Sequence, residues 1–163
     1  MDRSLVRVSI AVFDIDGVVA DVRHRVHYVE PPRQNWRRFF ELAAADPPSP
    51  EGVRWALRAA EDHELVWLTG RPEWLRSVTE DWLAASGLPP GDLVMRPIGD
   101  YRPARRYKVE ALRRLADRDI VVFVDDDPEV VRAAADAGFT ASLATWLPRS
   151  TALSDAQERS GRT

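Results

Sequence analysis

A largely apolar run from Leu5 to Phe13 ends abruptly in Asp14, Asp16 and a turn at Gly17. An apolar run of this length before a glycine is typical of a buried β-strand. Two carboxylates at the end of a buried strand are unfavourable, through desolvation and repulsion, unless a cation lies between them. Ligands of open α/β sheets bind at the carboxyl ends of the strands. The segment therefore predicts a catalytic strand end with a divalent metal, and its oxygen ligands favour Mg²⁺.

Apolar runs alternate with helical patterns along the rest of the chain, as they do in parallel α/β sheets. The predicted strands are at about 5–13, 64–68, 92–95, 120–124 and 140–145. The predicted helices are at about 35–45, 51–62, 72–86, 104–117 and 128–137. We therefore expect an α/β, Rossmann-like fold, with a parallel sheet of about five strands and helices on both faces.

Length and composition suit one domain with its own core. The chain has 163 residues, 45% of them hydrophobic, and no cysteine, which excludes disulfides and thiolate zinc sites. No apolar run approaches the ~20 residues of a membrane span, and no secretory leader follows Met1, so we expect a cytoplasmic protein with no membrane partner. We assign residues 1–147 to the domain and expect residues 148–163 to form a flexible tail, because they are mostly polar.

Positive charge is concentrated in two segments, although the net charge of the chain is −3. Residues 22–38 contain five arginines against one acid, and residues 96–114 contain six arginines and one lysine against two acids. Such segments can attract an anionic substrate, but solvated helix faces have the same composition. We interpret residues 21–50 as a basic insert or a small lid.

Polar side chains suited to phosphate and metal follow three of the predicted strands. They are Asp14 and Asp16 after the first strand, Thr69 and Gly70 after the second, and Asp125 and Asp126 after the fourth, joined by Lys108 from a helix. Because the carboxyl ends of parallel strands meet at one edge of a sheet, we expect these groups to converge. The next residue, Asp127, is predicted to cap a helix that begins at Pro128.

In this order the polar residues resemble the four motifs of the haloacid dehalogenase-like (HAD) superfamily, over about residues 5–145. The resemblance implies phosphoryl transfer through an aspartyl-phosphate, with Asp14 as nucleophile and Asp16 as general acid and base. It implies that Thr69 binds the transferring phosphoryl group and that Lys108 balances its charge. The implied ligands of Mg²⁺ are Asp14, the Asp16 carbonyl, Asp125 and Asp126. The intervals between motifs are too short for a large cap domain.

The use of lysine supports this interpretation independently of any family. The chain has 23 basic residues, and Lys108 is its single lysine. A chain that uses arginine almost everywhere would be expected to use it at an ordinary surface position too. The exception falls where the third motif needs a compact cation.

Further stretches resemble the 3′-phosphatase domain of phage-type polynucleotide kinases. They are Thr69-Gly70-Arg71, Met95-Arg96-Pro97, Gly99-Asp100-Tyr101-Arg102-Pro103 and Asp125-Asp126. The resemblance implies removal of 3′ phosphates from nucleic-acid ends. The implied substrate-binding residues are Gly70, Arg71, Arg96 and Arg25. The sequence contains no Gly-x-x-x-x-Gly-Lys-Ser/Thr loop of a kinase, so a separate kinase or ligase is an expected partner.

Several alternatives stay open at this point. The basic stretch Arg23–Arg38, with Tyr28 and Trp36, could follow a nucleic-acid strand by charge and stacking, or it could form a packed lid. Trp74 could stack on a base or pack at a helix start.

The same chemistry could act on a nucleotide or a small metabolite, or return the phosphoryl group to an acceptor. A non-catalytic binding module is a further alternative, although binding alone would not need all four motif residues together. DNA or RNA as substrate and the oligomeric state are not determined.

Overall fold

The computed structural model describes residues 8–162, so the predicted strand residues before Val8 lie outside the described part of the chain. The strands are β1 (Ser9–Phe13), β2 (Glu64–Pro72), β3 (Gly91–Arg96), β4 (Asp119–Asp125) and β5 (Ala141–Leu143). The α-helices are α1 (Trp36–Glu41), α2 (Pro50–Ala59), α3 (Arg76–Ala85), α4 (Ala104–Arg114), α5 (Pro128–Asp136) and α6 (Thr151–Asp155). The strands form one parallel sheet of order β3-β2-β1-β4-β5. The expected α/β, Rossmann-like fold is confirmed.

Alternate residues of the central strands enter two hydrophobic cores on opposite faces of the sheet. Phe13 of β1 enters the core that contains Trp82 of α3, whereas Val12 enters the core that contains Leu112 of α4. Because helices cover both faces, these strands have continuous apolar sequences rather than alternating ones. Within residues 8–162, no helix has the length and apolar character needed to cross a membrane.

The order of the strands changes direction at β1, which places the first motif at a switch point of the sheet. β1 lies between β2 and β4, and the register pairs Phe13 with Val124. The main-chain N–H of Asp14 donates to the Val124 carbonyl at 2.9 Å. The residues that follow β1 and β4 are therefore held side by side, where open α/β sheets bind their ligands.

The helix after β4 begins as the sequence predicts. The Asp127 side chain accepts a hydrogen bond from the main-chain N–H of Glu129 at 2.9 Å, and Pro128 is the first residue of α5. Such a cap satisfies one of the unpaired N–H groups of the first turn. It holds the short connection after β4 in a defined conformation.

β2 is longer than the sequence predicts. It was expected to end at Leu68, but it continues to Pro72 with a shift in its pairing to β3. Thr69, Gly70 and Arg71 therefore lie within the strand rather than in a loop after it. Within this strand, the charged side chain of Arg71 is paired with the buried carboxylates of Asp16 and Asp46, which no local pattern indicates.

The segment 21–50 packs on the domain and does not form a separate cap. It contains 3₁₀ turns at Arg23–Val29 and Leu42–Ala45 on either side of α1. Its Val26 and Phe39 side chains are buried in the core. No large cap domain is present in the described part of the chain.

The C-terminal segment is folded, which corrects the prediction of a flexible tail from residue 148. It forms α6 and a π-helical turn at Ala156–Ser160, and Leu153 is buried in one of the two cores. Arg149 anchors the segment through ion pairs with Asp126 and Asp127. The prediction was wrong because one buried leucine and one paired arginine leave almost no periodic signal in a polar stretch.

Candidate active site

Three carboxylates and one ammonium meet at the switch point between β1 and β4. Oxygen atoms of Asp14, Asp125 and Asp126 lie within 4.8 Å of one another. Lys108 reaches this cluster from α4, with its Nζ 2.9 Å from Asp14 Oδ2 and bonded to Asp125 Oδ2. All four side chains are buried. The structure thus brings together the residues that were expected to converge from two strands and a helix.

Burial and mutual repulsion disfavour the ionised forms of the carboxyl groups in this acidic cluster. Burial raises the pKa of Asp14 well above its usual range; Lys108 opposes this shift, and the neighbouring Asp125 and Asp126 add to it. Burial also raises the pKa of Asp126 to about 6. Lys108 keeps its proton, because Asp125 and Asp14 raise its pKa against the effect of burial. Lys108 and Arg149, which pairs with Asp126, bring two positive charges to three buried carboxylates, so a further cation would be stabilised here.

The acidic cluster fits a hard divalent cation by its donor atoms and its shape. Carboxylate oxygens are the preferred ligands of such ions. Asp126 Oδ1 is buried and has no hydrogen-bond partner among the described residues, which is rare for such an oxygen. Gly17, at φ 78°, leaves room for this carboxylate, since a Cβ there would lie 2.1 Å from Asp126 Oδ2. Asp14, Asp125 and Asp126 are therefore the side chains that would hold the metal.

The side chain of Asp16 lies in a buried ion network beside the cluster. Arg71 donates to Asp16 Oδ1 from Nε at 2.9 Å and from Nη2 at 2.7 Å, and Arg25 Nη2 donates to the same oxygen at 3.2 Å. Burial by itself would raise the pKa of Asp16, but Arg71 and then Arg25 offset this and lower the pKa to about 2. Both arginines bind Oδ1, and Oδ2 takes no part in these bonds. Asp16 is thus ionised, with one oxygen fixed.

Asp46 joins the two arginines of this network, and the sequence analysis did not identify it. Its carboxylate accepts from Arg25 Nε and Nη2, both at 2.7 Å, and from Arg71 Nη2 at 2.8 Å. His24 Nε2 lies 2.7 Å from Asp46 Oδ1. The Asp46 side chain is fully buried. It precedes two prolines, where an aspartate usually indicates only a turn, so no local signal distinguishes it.

The structure does not support direct substrate contacts for Arg25, Arg71 and Arg96. Arg25 and Arg71 are 0% exposed and are paired within the ion network. Arg96 is 2% exposed, donates to the main-chain carbonyl of Arg102 at 2.9 Å, and lies 4.5 Å from the ring centre of Tyr107. The sequence shows the charge of these residues but not their carboxylate and carbonyl partners, most of which are remote in the chain.

Thr69 lies in β2 beside the loop that follows β1. The register of the two parallel strands pairs Phe13 with Trp67. Continued by two residues along both chains, it places Thr69 beside Ile15, the residue that follows Asp14. Its hydroxyl accepts a hydrogen bond from the Arg71 main-chain N–H at 3.1 Å, which leaves the hydroxyl hydrogen available to a phosphoryl oxygen. Gly70 is buried in the same strand.

A groove of about 230 Å³ lies beside the ends of β2 and β3, at the same edge of the sheet. Trp74, Ile98 and Tyr101 line it and are 52%, 73% and 59% exposed. The guanidinium carbon of Arg162 lies 5.2 Å from the ring centre of Tyr101, and Arg37 also lines the groove. We call these five residues the aromatic groove. Groups of exposed apolar side chains are typical of surfaces that bind another molecule.

The fold and this site together define an HAD-type phosphatase. A loop that carries Asp14 and Asp16 follows the central strand, a buried lysine faces Asp14, and a pair of acids follows the adjacent strand. The family model of the polynucleotide kinase PNKP phosphatase domain matches residues 8–142. The chain therefore belongs to the PNKP phosphatase domain family. No curated protein matches the sequence significantly.

Solved structures share this fold at low sequence identity. Two structures of the Pnkp1/Rnl/Hen1 complex, one described as an RNA repair complex, have TM-scores of 0.74 and 0.73 and 19% identity over 91% of this chain. The chain covers 46% and 50% of those chains, so it spans about half their length. An HAD-like hydrolase from Streptococcus pneumoniae has a TM-score of 0.59 and 12% identity, over 93% of this chain and 92% of that one. A Bacillus subtilis HAD hydrolase bound to magnesium has a TM-score of 0.58 and 11% identity, over 84% and 88%.

Proposed function

We propose that the chain is a Mg²⁺-dependent phosphomonoesterase that removes terminal 3′ phosphates from nucleic acid through an aspartyl-phosphate. The observation that carries this proposal is the position of Asp14, between a buried ammonium and two acids suited to a metal. Membership of the PNKP phosphatase family supports a nucleic-acid substrate.

In the proposed first half-reaction, Asp14 attacks the phosphorus atom of the ester. A bond forms between a carboxylate oxygen and phosphorus, the bond from phosphorus to the 3′ oxygen breaks, and Asp16 gives its proton to that oxygen. Lys108 and Thr69 stabilise the charge on the transferring group. Bound Mg²⁺ would supply further neutralisation of the phosphoryl oxygens.

In the proposed second half-reaction, Asp16 accepts a proton from water while the water oxygen attacks phosphorus, which releases Asp14 and inorganic phosphate. The ionised carboxylate that Arg25 and Arg71 stabilise is the form that a base needs. The protonated form needed earlier is favoured when a phosphate dianion binds nearby, because negative charge raises the pKa of a carboxyl. The oxygen Oδ2, which neither arginine binds, is available for both transfers.

The aromatic groove supports a nucleic-acid strand as the remainder of the substrate. It lies at the sheet edge that carries Asp14, and its exposed Trp74 and Tyr101 rings offer surfaces on which bases can stack. Arg37 and Arg162 add positive charge that suits a phosphate backbone. A relative of the same fold is part of the Pnkp1/Rnl/Hen1 RNA repair complex, which supports RNA ends and a separate kinase or ligase as a partner.

The test is phosphate release from a set of substrates at matched concentrations. They are a 3′-phosphorylated oligonucleotide, as DNA and as RNA, its 5′-phosphorylated counterpart, a 3′-mononucleotide and p-nitrophenyl phosphate. We expect Mg²⁺-dependent preference for the 3′ oligonucleotide, with no turnover in EDTA or in Asp14→Asn. No turnover of any substrate by the wild-type chain would leave the non-catalytic module as the better description.

A nucleotide or small phosphorylated metabolite is the second candidate substrate. It is favoured by the burial of Arg25, Arg71 and Arg96, since three of the cations that were expected to contact a strand are withdrawn from the surface. In that case the turnover of the mononucleotide would equal or exceed that of the oligonucleotide. Its turnover would also depend only weakly on salt, whereas contacts to several phosphates make binding strongly salt-dependent.

A further inference from the structure

The C-terminal segment brings an arginine to the acidic cluster from outside the family domain. The family model ends at residue 142, and Arg149 lies beyond it. Arg149 Nη1 donates to Asp126 Oδ2 at 2.8 Å, and Arg149 Nη2 lies 3.0 Å from Asp127 Oδ2. Only 17% of the Arg149 side chain and 8% of the Asp126 side chain are exposed. The contact is therefore shielded from solvent, unlike an ordinary surface ion pair.

The guanidinium of Arg149 is itself fixed by the C-terminal segment. Ser154 Oγ accepts a hydrogen bond from Arg149 Nε at 2.7 Å, and Gln157 Oε1 accepts one from Nη2. Leu153 and Ala156, on the same short helical stretch, are buried. Folding of this segment thus determines where the guanidinium lies, and through it the orientation of the Asp126 carboxylate.

The two oxygens of Asp126 have different environments. Oδ2 accepts the hydrogen bond from Arg149, whereas Oδ1 is buried without a partner in the described part of the chain. An oxygen of Asp126 lies within 4.8 Å of oxygens of both Asp14 and Asp125. A carboxylate with one oxygen fixed by a cationic side chain and the other left bare is arranged as a metal ligand with an outer hydrogen bond.

We propose that Arg149 is a positioning residue of the metal site, which holds Oδ2 of Asp126 so that Oδ1 faces a divalent cation shared with Asp14 and Asp125. Outer hydrogen bonds of this kind orient metal ligands, and their loss typically lowers metal affinity about 10–100-fold. The inference rests on the metal site of the proposed function. It adds that residues 148–160, which lie outside the family domain, belong to the active site of this chain.

Arg149 could instead act as a substitute for the metal, and a metal-binding experiment distinguishes this role from the positioning role by the sign of the change in affinity. A guanidinium that merely substituted for the cation would compete with it, and its removal would tighten metal binding. A guanidinium that orients the ligand would weaken binding when removed. The sign of the change in affinity therefore tests the inference, and no measurement of turnover is needed.

The experiment is a Mn²⁺ titration of the full chain, in which electron paramagnetic resonance measures the free ion. Arg149→Met removes every donor at nearly the same side-chain length, and Arg149→Lys keeps the charge on a single donor nitrogen. Arg159→Met is the matched control, because Arg159 belongs to the same segment but its side chain is 80% exposed. Its ion pair with Asp155 is long, at 3.8 Å between Nε and Oδ1. Ser154→Ala removes the acceptor of Arg149 Nε and keeps the arginine itself.

We expect the dissociation constant for Mn²⁺ to rise about 10–100-fold in Arg149→Met and to stay at the wild-type value in Arg159→Met. Arg149→Lys should lie between them. Ser154→Ala should weaken binding several-fold, and it keeps the test valid if Arg149→Met does not fold by circular dichroism. Unchanged or tighter Mn²⁺ binding in folded Arg149→Met and Ser154→Ala would overturn the inference. Absence of Mn²⁺ binding by the wild-type chain would instead contradict the metal site of the proposed function.

Discussion

Replacement of Asp46 by Asn tests the buried ion network most directly. The substitution keeps the shape of the side chain but removes the negative charge that Arg25 and Arg71 share through three bonds of 2.7 to 2.8 Å. Asp16 would then be the remaining carboxylate beside two buried guanidiniums. Removal of one partner from a buried ion pair costs about 3–5 kcal/mol. We expect the free energy of unfolding to fall by this amount.

The hydrogen bonds give a similar magnitude. Hydrogen bonds to charged groups contribute about 1.5–3 kcal/mol each. Asn keeps one acceptor oxygen. If the amide nitrogen takes the place of Oδ1, one arginine bond is lost and the contact with His24 is altered; if it takes the place of Oδ2, two arginine bonds are lost. The expected loss by this count is roughly 2–6 kcal/mol, which overlaps the first range. It is a large part of the stability of a typical domain.

The assay is urea denaturation in EDTA, followed by tryptophan fluorescence, for the wild-type chain and Asp46→Asn. Glu51→Gln is the matched control, because Glu51 also accepts from an arginine, Arg54, at 3.1 Å, but both side chains are exposed. Exposed pairs contribute little, so we expect a change below about 0.5 kcal/mol there. A loss smaller than about 1 kcal/mol in Asp46→Asn, with an unchanged denaturant slope, would show that Asp46 does not stabilise the two arginines as described.

Two further predictions concern the metal and the substrate. Mg²⁺ at about 100 times its dissociation constant should stabilise the folded chain by about 2.7 kcal/mol and raise the melting temperature by roughly 5–11 °C, because it binds only the folded acidic cluster; a melting curve that millimolar Mg²⁺ leaves unchanged would count against the site. Trp74→Ala and Tyr101→Ala should each raise KM for the 3′ oligonucleotide by roughly 5–150-fold, which corresponds to about 1–3 kcal/mol per stacked base. Turnover of p-nitrophenyl phosphate serves as the control, and an equal loss on it would contradict the stacking role.

The acidic cluster and its lysine were predictable because their positions follow from strand ends. Asp14, Asp125 and Asp126 each follow an apolar run, and Lys108 is distinguished by its residue type alone. Parallel topology then brings them to one edge without any knowledge of side-chain packing. The same logic placed Thr69, even though β2 extends beyond the point at which a polar residue was expected to end it.

The burial of the arginines could not be predicted, because charge in a sequence does not show where a side chain is buried. Arg25 and Arg71 looked like substrate contacts, and only the fold shows that Asp16 and Asp46 pair with them. The folded C-terminal segment was missed for a related reason. Arg149, which anchors the segment, is paired with Asp126, more than twenty positions earlier in the chain.

Hydrophobic periodicity and chain order were enough to predict the fold class, the edge of the sheet that carries the site, and the residues at the strand ends. The folded structure was needed to show which arginines are buried, how the oxygens of Asp16 and Asp126 are divided between partners, and that Arg149 reaches the acidic cluster. Those features depend on pairs of charges that are remote in the chain and become neighbours only after packing. A buried charge is stable only with its partner in place, so the pairing is a property of the folded state.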